Sequence, residues 1–353
     1  MMEKNKTALF FKTKNIGDSI ILTSAIAALP EEYEFVDVVC LPESKEIFQM
    51  CPRVRNIYII PRHLKGFNKW IFYFNEIKKI LSHHYDFVAH FSTDWRGAFF
   101  ARLLRPPLSV GIKNNRRNQF WHRSFTANAN VSNENRLAVE QDVDLLRRVG
   151  LYNNHEAPPY NLIPPNTSKY GLNIWSKLNL EKNNKSKIIL IYAASRWKFK
   201  ELTTLQWHGI IDGLSIKNNT IILSGSRFDI HYLKSIVNLC NIKPLIKITS
   251  TLQDAASLMQ VSDLILSVDS MAIHMASALK KPVLPIFGPT DDKKWAPWKV
   301  KHKILALNET DSPSFACRPC RLDGCGGSKV SQCLYAMPED YVVKNTLAFL
   351  KTI

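Results

Sequence analysis

Short apolar runs alternate along this chain with longer stretches whose apolar positions recur at helical spacing. The pattern predicts a strand at Ala8–Lys12, a helix at Ser19–Leu29 closed by Pro30, and a strand at Phe35–Cys40. A helix at Ser44–Gln49, a strand at Ile57–Ile60 and a helix at Lys69–His83 follow. Next come a strand at Asp86–His90, a helix at Trp95–Leu104 and an amphipathic helix at Val139–Val149 that stops at Gly150. Asn153–Lys169 then holds Pro158, Pro159, Pro164, Pro165 and several Asn residues, the composition of a linker. The alternation restarts with Ile188–Tyr192, Thr203–Leu214, Thr220–Leu223, a helix from Ile230, Ile246–Ile248 and a helix from Leu252. It ends with Leu264–Val268, Met271–Leu279 and Val283–Phe287. Pro338–Ile353 has Pro at a helix start and Glu339 and Asp340 in the first turn, so it reads as a terminal helix packing back on the body.

Strands that alternate with helices build βαβ units and parallel sheets, so the fold class is α/β. The expected domains are 1–160, 161–337 and the terminal helix 338–353. Open parallel sheets bind ligands beyond the carboxyl ends of their strands, and two such halves predict an inter-domain cleft.

Composition narrows the partners. At 353 residues two domains are expected, and 46% apolar with 22% charged residues excludes a disordered chain. Forty-seven Lys and Arg against 30 Asp and Glu leave +17, which calls for an anionic partner: nucleic acid, a membrane surface or a phosphorylated substrate. Seven cysteines, an odd number, argue against a secreted disulfide framework. No signal peptide and no run of about 18 apolar residues is visible, so the expected setting is the cytoplasm.

The sequence holds neither a Gly-x-x-x-x-Gly-Lys loop nor a Gly-x-Gly-x-x-Gly fingerprint, which removes the main support for kinase and dinucleotide readings. Five segments could carry chemistry. Ile16-Gly17-Asp18-Ser19 lies where the first strand turns into a helix; Gly17 would allow a tight turn, and Asp18 is either a helix cap or a general base. Asp269-Ser270-Met271-Ala272-Ile273-His274 follows an apolar strand. Its helix-opening amides and the Ser270 hydroxyl could hold a diphosphate, with His274 facing the same anion or filling the core. Lys200 stands between a strand and a helix, as a phosphate partner or as part of a solvated basic loop with Arg196 and Lys198. Ser224-Gly225-Ser226-Arg227-Phe228-Asp229 puts a Gly at a strand end and a carboxylate a few residues on, where a ribose could donate to it.

The fifth is Cys317, Cys320, Cys325 and Cys333, whose opening spacing suits zinc; a reversible disulfide and free thiols are the alternatives. Basic residues also group at Arg62, His63, Lys65 and Lys69 and at Lys113, Arg116, Arg117, His122 and Arg123. They frame either an anionic acceptor or a solvated surface. A nucleic-acid-binding reading finds no helix-turn-helix, clustered basic helix or stacking platform to support it.

Together these segments resemble glycosyltransferase family 9, the bacterial heptosyltransferases of lipopolysaccharide core assembly. The resemblance begins at Lys14–Thr23 with Ala25–Leu29. It continues through Tyr85-Asp86-Phe87, Arg96, Val110-Gly111, Ala138-Val139-Glu140, Asp144-Leu145-Leu146 and Gly150. Lys200 with Trp207, Gly225 with Asp229, Asp269-Ser270, His274-Met275-Ala276, Lys281-Pro282-Val283 and Phe287-Gly288-Pro289-Thr290 complete it, with the cysteine set before Pro338-Glu339. The resemblance implies a GT-B fold: two facing Rossmann-like domains, the first for the acceptor and the second for a nucleotide sugar. It implies an inverting transfer of heptose from an ADP-sugar to an acidic, lipid-linked core oligosaccharide, without metal or other cofactor, at the cytoplasmic face of the inner membrane. By this likeness Asp18 is the base. Lys200 and the Asp269, Ser270, Met271 and His274 turn hold the diphosphate, and Asp229 lies near the ribose. Arg62, Lys65, Arg116 and Arg117 would meet the acceptor, whose acidity suits the +17 charge. A transferase of the same family acting on another nucleotide sugar or acceptor is the alternative.

Overall fold

Strands buried on both faces of a parallel sheet need near-continuous apolar runs, and this chain supplies them twice. In a computed structural model the chain divides into two units, Met1–Ile163 and Pro164–Ile353. The structure describes residues 6–61, 68–131, 136–164, 187–216, 219–311 and 313–353.

The first unit contains β1 (Thr7–Lys12), α1 (Ile16–Ala28), β2 (Phe35–Cys40), α2 (Lys45–Gln49), β3 (Val54–Ile59), α3 (Asn68–Leu81), β4 (Phe87–His90) and α4 (Trp95–Leu104). β5 (Leu108–Ile112), α5 (Gln119–His122), β6 (Ala127–Ala129) and α6 (Ala138–Arg148) follow. Its strands lie parallel in the order β3-β2-β1-β4-β5-β6. The apolar pattern did not announce β5 and β6. β5 begins directly behind Pro106-Pro107, and β6 is a three-residue edge strand with Asn128 at its centre. A core of Phe11, Val39, Val88, Phe100 and Trp121 packs one face of this sheet.

The second unit repeats the design with β7 (Ile188–Tyr192), β8 (Thr220–Gly225), β9 (Leu245–Ile248), β10 (Leu264–Val268) and β11 (Val283–Ile286). The order is β11-β10-β7-β8-β9, again all parallel. Each sheet therefore grows outward both ways from its first strand. The crevice where the winding reverses falls between β1 and β4 in one unit and between β7 and β10 in the other, the position at which such sheets take ligands.

Two observations refine the chain's organisation. The Pro-rich stretch is no free tether over its described part. The Ala157 amide donates to Glu140 Oε1 (2.7 Å), the Asn161 amide to Thr23 Oγ1 (3.2 Å) and the Ile163 amide to the Met50 carbonyl (2.8 Å). Tyr160 and Leu162 are buried. The terminal helix Glu339–Leu350 packs on the helix Thr204–Ser215 at Gly209 and Gly213. A Cβ at Gly213 would lie 2.8 Å from Val343, so the missing side chain sets how near the two helices come.

Candidate active site

At the β1/β4 crevice, Lys12 closes β1 with a buried ammonium. Its Nζ donates to both carboxylate oxygens of Asp142 on α6, at 2.7 and 2.6 Å. Burial pushes the Asp142 carboxyl up, and the Lys12 charge opposes it. Lys14 follows, its ammonium lowered first by the like charge of Lys12 and next by its surroundings, with Asp18 and Asp142 acting the other way. Helix α1 starts at Ile16, three residues before the apolar spacing suggested, because Gly17 and Asp18 are themselves helical. Gly17 is thus a helix-start residue and makes no sharp turn. Asn15 occupies the N-cap, so Asp18 does not cap; it lies partly exposed in the first turn, at the positive end of the helix dipole.

The β4 side of this crevice holds Asp94, the N-cap of α4, which accepts from the Arg96 amide (2.9 Å), Arg96 Nε (3.1 Å) and Thr13 Oγ1 (2.5 Å). Burial works against its charge, but His90, Arg96 and Thr13 hold the carboxyl below its usual range. Arg117 reaches the same rim, with Nε donating to the Thr93 carbonyl at 2.6 Å. Arg116 is exposed on the loop after β5. Arg62 and Lys65 lie outside the described residues.

The β7/β10 crevice gathers most of the remaining candidates. Lys200 Nζ and Asp269 Oδ2 form an ion pair at 2.6 Å, with side chains 18% and 10% exposed. Ser195, on the loop after β7, donates its hydroxyl to the Asp269 carbonyl (3.2 Å) and its backbone amide to Glu201 Oε1 (2.9 Å). Glu201, which the residue pattern did not single out, is buried, and its carboxyl is raised by that burial against the pull of Lys198. Ser270 caps the helix Met271–Ala278: its Oγ accepts from the Ala272 amide (3.2 Å) and contacts Ser267 Oγ (3.1 Å). Met271 opens that helix. His274 is buried one turn in and stands edge-on to Trp295, with centroids 6.2 Å apart, in a core-like setting.

Asp229 stands apart from this pair. Its Oδ2 accepts from the Ser226 amide (2.8 Å) and hydroxyl (2.7 Å), closing a local capping box. The carboxylate expected near a ribose is therefore partly committed to its own turn. The cysteine set shares one loop region. Cys317 and Cys325 are exposed, Cys320 is half-buried, and burial pushes the Cys333 thiol up to about 11. All four are free thiols, and no described group of His, Cys, Asp or Glu has the arrangement of a metal site. A further cleft of about 890 Å³ runs along β6, lined by Lys113, His122, Arg136 and Arg148. Its arginines have partners: Arg136 pairs with Asp144, and Arg148 donates to the Asn128 carbonyl.

Two parallel Rossmann-type sheets in one chain, each with charged side chains at its winding reversal, are the architecture of the GT-B fold class. The chain belongs to glycosyltransferase family 9 (heptosyltransferase), whose family model matches residues 74–324. It is similar to lipopolysaccharide heptosyltransferase 3 of Escherichia coli, at 24% identity over 293 residues, 80% of this chain and 83% of that relative. The fold is similar to a family 9 glycosyltransferase from Veillonella parvula DSM 2008 (TM-score 0.81, 15% identity, covering 100% and 99% of the two chains). It is also similar to ADP-heptose lps heptosyltransferase II of E. coli (TM-score 0.73, 16% identity, covering 98% and 99%).

Proposed function

We propose that this glycosyltransferase moves a heptose from an ADP-heptose donor to an acidic, lipid-linked core oligosaccharide of lipopolysaccharide, with inversion and without a metal. The observation that carries the reading is the Lys200–Asp269 pair at the β7/β10 crevice, beside a helix that opens at Ser270. Anomeric bond breaking leaves negative charge on the departing diphosphate, and fixed cations with helix-terminal amides stabilise it. Asp269 holds the Lys200 ammonium in place before donor binds. Ser270 can still donate its hydroxyl proton while its oxygen caps the helix.

On the first unit, Asp18 takes the proton from the attacking acceptor hydroxyl. As that oxygen bonds to the anomeric carbon, the bond to the diphosphate breaks and ADP leaves. The Lys12–Asp142 pair beneath balances its own charge, so Asp18 and Lys14 are the groups left to face the acceptor. Arg116 and Arg117, with Arg62 and Lys65, suit the acceptor's phosphates. The relatives named for lipopolysaccharide and for ADP-heptose support donor and acceptor. No described helix is long and apolar enough to cross a membrane; the reading places the enzyme peripherally on the cytoplasmic face of the inner membrane.

The test is transfer by the purified protein from ADP-heptose to heptose-deficient lipooligosaccharide in excess EDTA, read by mass spectrometry and anomeric NMR. The expected product gains one heptose of inverted configuration. Transfer from another nucleotide sugar alone replaces the donor assignment, and loss of activity in EDTA overturns metal independence.

A further inference from the structure

We propose that the α4–α5 face of the first unit is a membrane-docking surface for anionic phospholipid, inserting aromatic side chains among the headgroups. Helix α4 presents Trp95, Phe99 and Leu103, spaced four apart along one stripe, at 44%, 51% and 45% exposure. Phe120 of α5, 57% exposed, continues the stripe with its ring 6.2 Å from that of Trp95. Exposed single apolar residues are ordinary, but a contiguous aromatic stripe on a soluble face marks an interaction site. Behind it, a crevice of about 210 Å³ is lined by Ile60, Ile77, Trp95, Phe99 and Phe100, with Glu76 and Arg96 also on its walls.

Charge selects the occupant. Between Asp94 and Glu134 the sequence has seven Lys and Arg and no acidic residue. Arg102 lies over the Phe120 ring at 3.7 Å, and Arg117 over Trp95 at 5.8 Å. Arg105 and Arg123 are exposed on the flanking turns. Aromatic rings at headgroup depth under a rim of guanidinium groups match an anionic leaflet: the rings enter the acyl boundary and the cations meet phosphates. A lipid-linked acceptor, the reading on which this rests, gives the contact its purpose, since docking brings the crevice at β1 to the membrane plane where that acceptor lies.

The experiment is co-sedimentation of the full chain with phosphatidylcholine vesicles with and without 30 mole per cent phosphatidylglycerol (about 30, chosen to give an anionic surface), with no donor or acceptor present. Binding is expected only with phosphatidylglycerol. The double variant Phe99→Ser/Leu103→Ser should bind at least about tenfold more weakly, and Arg105→Gln/Arg123→Gln about fivefold more weakly per charge removed. Unchanged melting temperatures keep these losses from being ascribed to unfolding. Wild-type binding that ignores phosphatidylglycerol, or variants that bind like wild type, overturns the proposal. So does sedimentation velocity showing that the stripe instead joins two copies of the chain. Transfer to detergent-solubilised acceptor, measured on Phe99→Ser/Leu103→Ser, should stay at wild-type rate. Failure of transfer with intact vesicle binding counts against the proposed reaction; failure of binding with intact transfer counts against this surface.

Discussion

Asp18 shows how a single residue's role depends on one position of register. Had the helix begun at Ser19, Asp18 would have capped it; the helix begins at Ile16, and Asn15 takes the cap. Asp18→Asn keeps size and polarity but removes the proton acceptor. Turnover should fall about 10²–10⁴-fold, with ADP affinity and melting temperature unchanged; an active Asp18→Asn enzyme would falsify the base assignment. Lys200 carries a second expectation at this scale. Lys200→Ala removes one charge-assisted contact to the diphosphate and leaves the Asp269 carboxylate facing the anion. Calorimetry should show ADP binding weakened by at least about 1.5–3 kcal/mol, and unchanged affinity removes Lys200 from the donor site. Asp18, Lys200 and Asp269 stood out in sequence because each lies where a strand gives way to the next helix. Glu201 did not, since nothing in its neighbours signals that Ser195 and Lys198 fold back onto it.

At the scale of elements, most strands were legible from their apolar runs, but not β5, whose run is broken by Ser109 and Gly111, nor β6, the last described strand of its sheet, which carries an Asn. The terminal helix was legible from its start signals, but its docking face was not. Gly209 and Gly213 are the nearest points of approach, yet they differ in what a methyl would strike. At Gly209 it meets the far end of Glu339, which can swing away; at Gly213 it meets the branched Val343. Gly209→Ala should therefore be near neutral or gain up to about 1 kcal/mol from helix propensity. Gly213→Leu should lose about 1–3 kcal/mol by overpacking. Urea melts of the two variants check the contrast, and equal effects would show that the helices separate freely.

For the molecule as a whole, His90 should draw stability down toward acid, against the opposite pull of the raised Asp142 and Glu201 carboxyls. His90 is fully buried between Phe125 and the α4 backbone, and burial lowers its imidazole to about 4. A group depressed in the folded state binds its proton more readily when unfolded. Its contribution is complete above the unfolded value near 6.5 and is lost as pH falls through about 4. This one residue can account for about 3 kcal/mol across that window. Asp37 acts in the same direction lower down: burial opposes its charge, but Arg55, Tyr85 and Asn56 hold the carboxyl below its usual range. Its contribution is present above about 3.9 and disappears as pH falls through the depressed folded value. Melting temperatures between pH 7 and 4 (roughly the His90 window) should drop for wild type and drop less for His90→Phe. Parallel curves for the two would show that His90 does not control this range.

The local pattern by itself determined two α/β units, because apolar period, caps and proline breaks are properties of neighbouring residues. It also placed Asp18, Lys200 and the Asp269–His274 turn at strand ends, where open sheets take ligands. Only the tertiary structure decided strand order, which pairs segments far apart in the chain and so puts Lys200 within 2.6 Å of Asp269. It alone buried Lys12 against Asp142, turned Asp229 back onto Ser226, and strapped the Pro-rich stretch to α1 and α6. Those outcomes depend on which distant carboxylate, amide or ring arrives beside a residue when the sheets close. Local spacing carries no information about that.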